Sequence, residues 1–145
     1  MFKKKVIRKS GARANNLDIL KINLKRYCRI KLMTIVKEYL DLTEKYKKEY
    51  GEKTLVLMQV GSFFEAYGLL DKDDKIYGSD IVTFAEINEM TISRKNLCVG
   101  KARVVMAGFG LPQLEKYVRK MQDNGYTIPV WTQDTNSKNT TRFRV

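Results

Sequence analysis

Apolar positions along this chain follow two rhythms, one helical and one extended. Leu17, Leu20, Leu24, Tyr27 and Cys28 recur at helical spacing among basic residues, which predicts an amphipathic helix beginning near Asn16. A second stripe, Leu32, Ile35, Val36, Tyr39, Leu40, Tyr46 and Tyr50, predicts another helix, with Thr34 as its N-cap and Gly51 as its stop. Leu55 to Val60 is an apolar run without helical polarity and reads as a buried strand. Gly61 and Ser62 break it, and an aromatic-rich segment from Phe63 to Tyr67 follows, ending at Gly68.

Beyond a charged turn at Asp71 to Lys75, the β-branched content of Ile76 to Phe84 predicts a strand interrupted around Gly78, with another short strand over Glu89 to Arg94. Arg103 to Ala107 reads as a central strand ending at Gly108 and Gly110. Pro112 suits the first turn of a helix whose inner face carries Leu114, Tyr117, Val118 and Met121, and Asn124–Gly125 supplies its left-handed stop. Tyr126 to Thr132 returns as a strand that Pro129 assigns to an edge or a bulge. A polar loop with Asn136, Ser137 and Asn139 leads to a last extended piece, Thr140 to Val145. Strands alternating with two or three helices predict an α/β (α+β) domain built on a mixed sheet.

Charge divides the chain unevenly. The formal net charge is +12, but residues 1–33 hold eleven Lys/Arg and a single acid, Asp18, whereas residues 34–145 hold seventeen Lys/Arg against fifteen acids. The expected organisation is therefore a basic extension, 1–33, and a nearly neutral domain, 34–145. The extension reads as a solvated tail, as an arm adding salt-sensitive affinity for a polyanion, or as an organelle leader, for which Ser10 is its only serine. Met33 stands where an alternative start or the end of a leader would lie.

Several chemistries are excluded. The chain has no histidine and two widely separated cysteines, Cys28 and Cys98, which removes paired Cys/His zinc sites and His-based nucleophile schemes. The same cysteine usage points to a reducing, intracellular setting. No apolar run approaches the ~20 residues that span a bilayer, and no membrane partner is expected. Gly100–Lys101 lacks the rest of a phosphate-binding loop. Asp71, Asp73 and Asp74 lack calcium-loop spacing, and a metal-dependent nuclease using Asp71, Asp73 or Glu86 finds little support in such unpaired positions. The chain reads as a binder, not a catalyst.

The segment LVLMQVGSFFEAYG, Leu55 to Gly68, carries the sharpest signal. Phe64 belongs to a core. Phe63 and Glu65, two apart, point the same way in extended or turn geometry. An aromatic ring beside one acceptor is a base-probing device, because the ring enters a base step while the carboxyl meets the displaced base edge. The plain alternative is two core phenylalanines and a solvated carboxylate at a helix start.

The segment VKEYLDLTEKYKKEYGEKTLVLMQVGSFFEAY, then TISRKN, then VMAGFGLPQLEKYVRKMQDNGYTIPVWTQDT resembles, block by block, the mismatch-recognition domain (domain I) of MutS-family repair proteins, over about Met33 to Val145. The wording MQVGSFFEAYG is closer to divergent members such as those of giant viruses. The resemblance implies DNA mismatch recognition, with Phe63 as a wedge entering from the minor groove and Glu65 as its hydrogen-bonding carboxyl, next to Ser62. It implies duplex DNA and a second MutS-like subunit as partners, with ATP and magnesium only in the ATPase region of a full-length relative. Candidate phosphate contacts are Arg94, Lys95, Lys101 and Arg103, with Lys138, Arg142 and Arg144 in the tail. Gly110 stands where the family has proline, and Trp131–Thr132–Gln133 replaces an Ala/Ile/Cys-Glu-Gln ending. The rival reading is a general nucleic-acid binder acting through residues 1–33.

Overall fold

The computed structural model describes residues 16–133 and 141–144. By internal contacts the chain divides into two compact units, meeting between Ile35 and Val36. Among the described residues the first of three α-helices, α1, spans Asn16–Tyr50 and takes in residues of both units. No glycine or proline lies within it, so nothing breaks its backbone ladder. Thr34 is therefore not an N-cap. Its hydroxyl donates to the Ile30 carbonyl one turn back, at 3.1 Å, which is how a threonine is satisfied inside a helix. In the first unit, Leu17, Leu20, Leu24, Tyr27 and Ile30 are exposed.

In the second unit, α1 buries Val36, Tyr39, Thr43 and Tyr46, residues spaced to form one stripe. Gly51 ends the helix at φ +103°, with its N–H bonded to the Lys47 carbonyl. The strands that follow are β1 (Leu57–Val60), β2 (Phe63–Leu70), β3 (Ile76–Tyr77), β4 (Ser93–Val99), β5 (Ala102–Gly110), β6 (Val130–Gln133) and β7 (Thr141–Arg144). Among the described residues they form one mixed sheet in the order β4-β5-β2-β1-β6-β7, with β3 beside the far end of β2. Only β1 and β6 pair in parallel.

Four further expectations needed correction. Gly68 does not end the aromatic segment, because β2 continues to Leu70. A Cβ at Gly68 would lie 2.8 Å from Ile81 Cγ2, so glycine there admits a packed helix. The expected strand Ile76 to Phe84 is only β3, after which α2 (Ile81–Ile87) begins. Ile81, Phe84, Ala85 and Asn88 are buried, a helical i, i+3, i+4, i+7 set that outweighs the β-branched content. The strand expected over Glu89 to Arg94 begins four residues later, as β4. Pro129 is not on an edge either: β6 lies between β1 and β7. Its carbonyl accepts from Leu57 N–H at 2.9 Å, so proline keeps the one ladder bond it can make towards β1 and gives up only the N–H rung on that side.

β5 runs longer than expected at both ends and lies between β4 and β2. Pro112 sits in a single 3-10 turn, Leu111–Gln113, that leads into α3 (Leu114–Asp123). Of the expected inner face, Met121 is fully buried and Leu114, Tyr117 and Val118 are half-buried. Phe109 of β5 meets Phe64 of β2, Phe84 of α2 and Tyr117 of α3, so one sheet face is covered by α2 and α3. On the other face Tyr39 of α1 meets the Tyr67 ring edge-on, 5.4 Å between centroids, which covers only part of it. No helix among the described residues is long and apolar enough to cross a membrane.

Candidate nucleic-acid interface

β1 and β2 are joined by two residues, Gly61 and Ser62, between the pair Val60↔Phe63. Gly61 has φ +61° and Ser62 does not have positive φ, the pattern of a type II′ hairpin. A ring of three hydrogen bonds then fixes the tip. Gln59 Nε2 donates to the Gly61 carbonyl (3.1 Å), Gly61 N–H donates to Gln133 Oε1 (3.3 Å), and Gln133 N–H donates to Gln59 Oε1 (3.0 Å). On the other side, Leu111 N–H donates to the Ser62 carbonyl at 3.1 Å. The turn is thus clasped between the end of β6 and the turn after β5.

From this tip the strand alternates. Phe64 is 3% exposed and Phe63 is 54% exposed, so adjacent phenylalanines have opposite fates. Phe63, Glu65 and Tyr67 share the face opposite α2 and α3. A single exposed phenylalanine is ordinary; its cross-strand neighbours are what distinguish this one. Phe63 pairs with Gly110 and Glu65 with Gly108, so β5 places no side chain directly opposite either. A Cβ at Gly108 would lie 2.8 Å from the Phe64 carbonyl oxygen and 3.1 Å from Glu65 Cγ. The absent side chain is the space that Glu65 occupies. Gly110 has φ −71° and ψ 151°, a backbone that proline would also hold.

Phe63 and Glu65 border a concavity of about 380 Å³ whose other walls are Thr91, Ser93, Lys95, Met106, Ala107 and Gly108. Tyr67 donates its hydroxyl to Glu65 Oε2. Burial, and then the hydrogen bond and charge of Glu65, push the Tyr67 hydroxyl well above its ordinary range, so it stays protonated and acts as a donor.

The four folded-domain cations singled out from the sequence are not gathered together. Lys95 lines the concavity. Arg94 pairs with Val105, hence on the α2/α3 face, and lies 3.7 Å from Asp74. Lys101 sits in the β4–β5 turn, and Arg103 pairs with Leu70 while Gly110 pairs with Phe63. At about 3.3 Å per residue that separates Arg103 from the Phe63 end of the sheet by roughly 23 Å. Ser62 is exposed at the hairpin tip. Arg142 and Arg144 fall in β7, and Lys138 and the 136–139 loop lie outside the described residues. Asp71 Oδ1 accepts from the N–H groups of Asp73 and Lys75, so it shapes a turn.

The sequence pattern did not mark Gln59, Gln133, Tyr67 or Gly108 as parts of this site. Gln133 carried the one available signal, as the glutamine retained in the otherwise altered ending.

Residues 34–145 match the family model described as MutS domain I. The chain is 29% identical over 106 residues to a DNA mismatch repair mutS homologue of Acanthamoeba polyphaga mimivirus. It is 25% identical over 104 residues to the DNA mismatch repair protein MutS of Fervidobacterium nodosum. Each match covers 72% of this chain, but only 9% and 10% of those two proteins.

Proposed function

The chain belongs, through residues 34–145, to the MutS domain I family, and on that premise we propose that it is a mismatch-recognition module for duplex DNA, with Phe63 as wedge and Glu65 as probing carboxyl. The observation that carries this reading is the exposed Phe63 beside Glu65 on one strand face, each opposite a glycine. An uncovered ring at a fixed hairpin tip enters a base step without first breaking its own packing. Unstacking costs a few kcal/mol and least where pairing is already poor, so a mismatch lowers the entry barrier. Glu65 then meets the displaced base edge. A carboxylate against DNA opposes the phosphates, so it contributes discrimination more than affinity.

Affinity comes from cations. Lys95 is the nearest to the probe, Lys101 and Arg103 serve phosphates farther along the duplex, and residues 1–33 act as a separate basic arm. We assign no catalysis to the matched domain; a second MutS-like subunit is a further candidate partner, and ATP and magnesium would be needed only by an ATPase region.

Competition binding, by fluorescence anisotropy, of mismatched against matched duplex tests the reading. Base–aromatic stacking is worth about 1–3 kcal/mol, so Phe63→Ala is expected to lower the mismatch preference roughly 5- to 150-fold, with salt-sensitive binding to matched duplex retained. An undiminished preference in the variant would refute the wedge. A wild-type chain without preference, whose binding vanishes on removal of residues 1–33, would establish the rival in which the arm is the binder.

A further inference from the structure

We propose that Tyr67 is a positioning residue that fixes which oxygen of Glu65 meets a displaced base, and thereby makes the probe selective for bases offering a hydrogen-bond donor. The inference rests on the mismatch-probing reading. Tyr67 lies two residues beyond Glu65 on the same strand face, fully buried, and donates its hydroxyl to Glu65 Oε2. Glu65 Oε1 has no protein partner among the described residues and is the oxygen left for the concavity.

The phenol is a fixed donor. Its ring is held edge-on by Tyr39, whose own hydroxyl donates to the Val56 carbonyl at 2.8 Å. Ser79 Oγ donates to the Tyr67 carbonyl at 2.5 Å. Gly108, lacking a Cβ, leaves Glu65 Cγ lying against β5. The carboxyl is therefore gripped from both ends of its short side chain.

Selectivity follows from hydrogen-bond chemistry. A carboxylate is acceptor-only, and one oxygen already accepts from Tyr67. The free oxygen is satisfied by an N–H, such as N3–H of thymine, and faces a lone pair at N3 of cytosine. Both atoms are reached from the minor-groove side, where the cytosine amine does not intervene. A glutamine at this position would turn its carbonyl toward Tyr67 and its amide N–H toward the base, which inverts the rule.

The test compares duplexes carrying a single unpaired thymine or a single unpaired cytosine, each measured against matched duplex, with the whole chain and its Tyr67→Phe, Glu65→Gln and Glu65→Ala variants. The wild type is expected to favour thymine by roughly 10- to 150-fold, the contribution of one charge-assisted hydrogen bond. Tyr67→Phe should bring that ratio towards one, Glu65→Gln should reverse it, and Tyr67→Phe should have no further effect when combined with Glu65→Ala. A purely structural role for Tyr67 would weaken both duplexes together and leave their ratio intact. An unchanged ratio in Tyr67→Phe, with Phe63→Ala still lowering mismatch preference, overturns the proposal and spares the wedge. If Tyr67→Phe fails to fold, the Glu65→Gln ratio decides, and no reversal there overturns it. Absence of any mismatch preference in the wild type removes the parent reading itself.

Discussion

Two glycines on one strand face, two residues apart, are expected to respond oppositely to the same substitution. At Gly108 an added Cβ would stand 2.8 Å from the Phe64 carbonyl oxygen, 3.1 Å from Glu65 Cγ and 3.4 Å from Met106 Sδ. The first contact is backbone, in the strand paired with β5, so relief requires β2 and β5 to separate locally. Overpacking of that kind costs about 1–3 kcal/mol, and the reduced freedom of the unfolded chain returns only about 0.4–1 kcal/mol. Gly108→Ala is therefore expected to destabilise by roughly 1–2 kcal/mol. At about 4 °C per kcal/mol for a folded unit of this size, Tm falls by roughly 4–8 °C. Gly110→Ala meets only Pro112 Cδ, at 3.7 Å, from an ordinary extended backbone, and should be neutral or slightly stabilising. Paired thermal melts with urea titrations measure both. Mismatch competition should show Gly108→Ala losing preference beyond its loss of stability, because Glu65 is displaced. Equal Tm values for the two variants would refute the claim that Gly108 is the space Glu65 needs.

Two further outcomes concern the scaffold. Asp80 accepts from Lys47 Nζ at 2.8 Å and from the Tyr126 hydroxyl at 2.9 Å, with both charged side chains less than a third exposed; Asp80→Asn should cost roughly 1–3 kcal/mol in denaturant titrations, between the values of exposed and buried pairs, and additivity with Lys47→Met would show that the pair is not coupled. Burial raises the Tyr39 and Tyr67 hydroxyls above their ordinary range, so the unfolded chain releases those protons first: their contribution is complete below about pH 10 and is lost as pH rises above it, by about 1.4 kcal/mol per pH unit for each. Urea titrations from pH 8 to 11.5 measure the slope, which Tyr39→Phe should reduce by one proton's worth; an identical slope in that variant contradicts the assignment.

Local pattern carried the strands and helices wherever one periodicity ruled. It misled at Ile76 to Phe84, where β-branched residues imply a strand while the spacing of Ile81, Phe84 and Ala85 implies a helix, and burial against Gly68 favoured the spacing. It also placed a helix start at Thr34, because a threonine ahead of an apolar stripe looks the same whether it caps a helix or sits inside one. Phe63 and Glu65 were legible because alternation is a local property. Their surroundings were not, since Gly108, Gly110 and Gln133 reach the site through pairings between distant segments. The cations illustrate the same limit: Arg94 and Lys95 are neighbours in sequence, and the pleat puts them on opposite faces.

The clasp at the Gly61–Ser62 tip has a consequence in time. Gln59 and Gln133 are separated by 74 residues, whereas the hairpin they secure closes over two. Local turns form quickly and distant pairings late, so during synthesis β1 and β2 come together long before β6 has been made. Until β6 docks, the hairpin exists but its tip lacks the amide ring that sets its direction. The hairpin tip is thus an early-made part whose direction is fixed by one of the last strands, and a break in the chain between β5 and β6 would loosen it without touching a single residue of the hairpin.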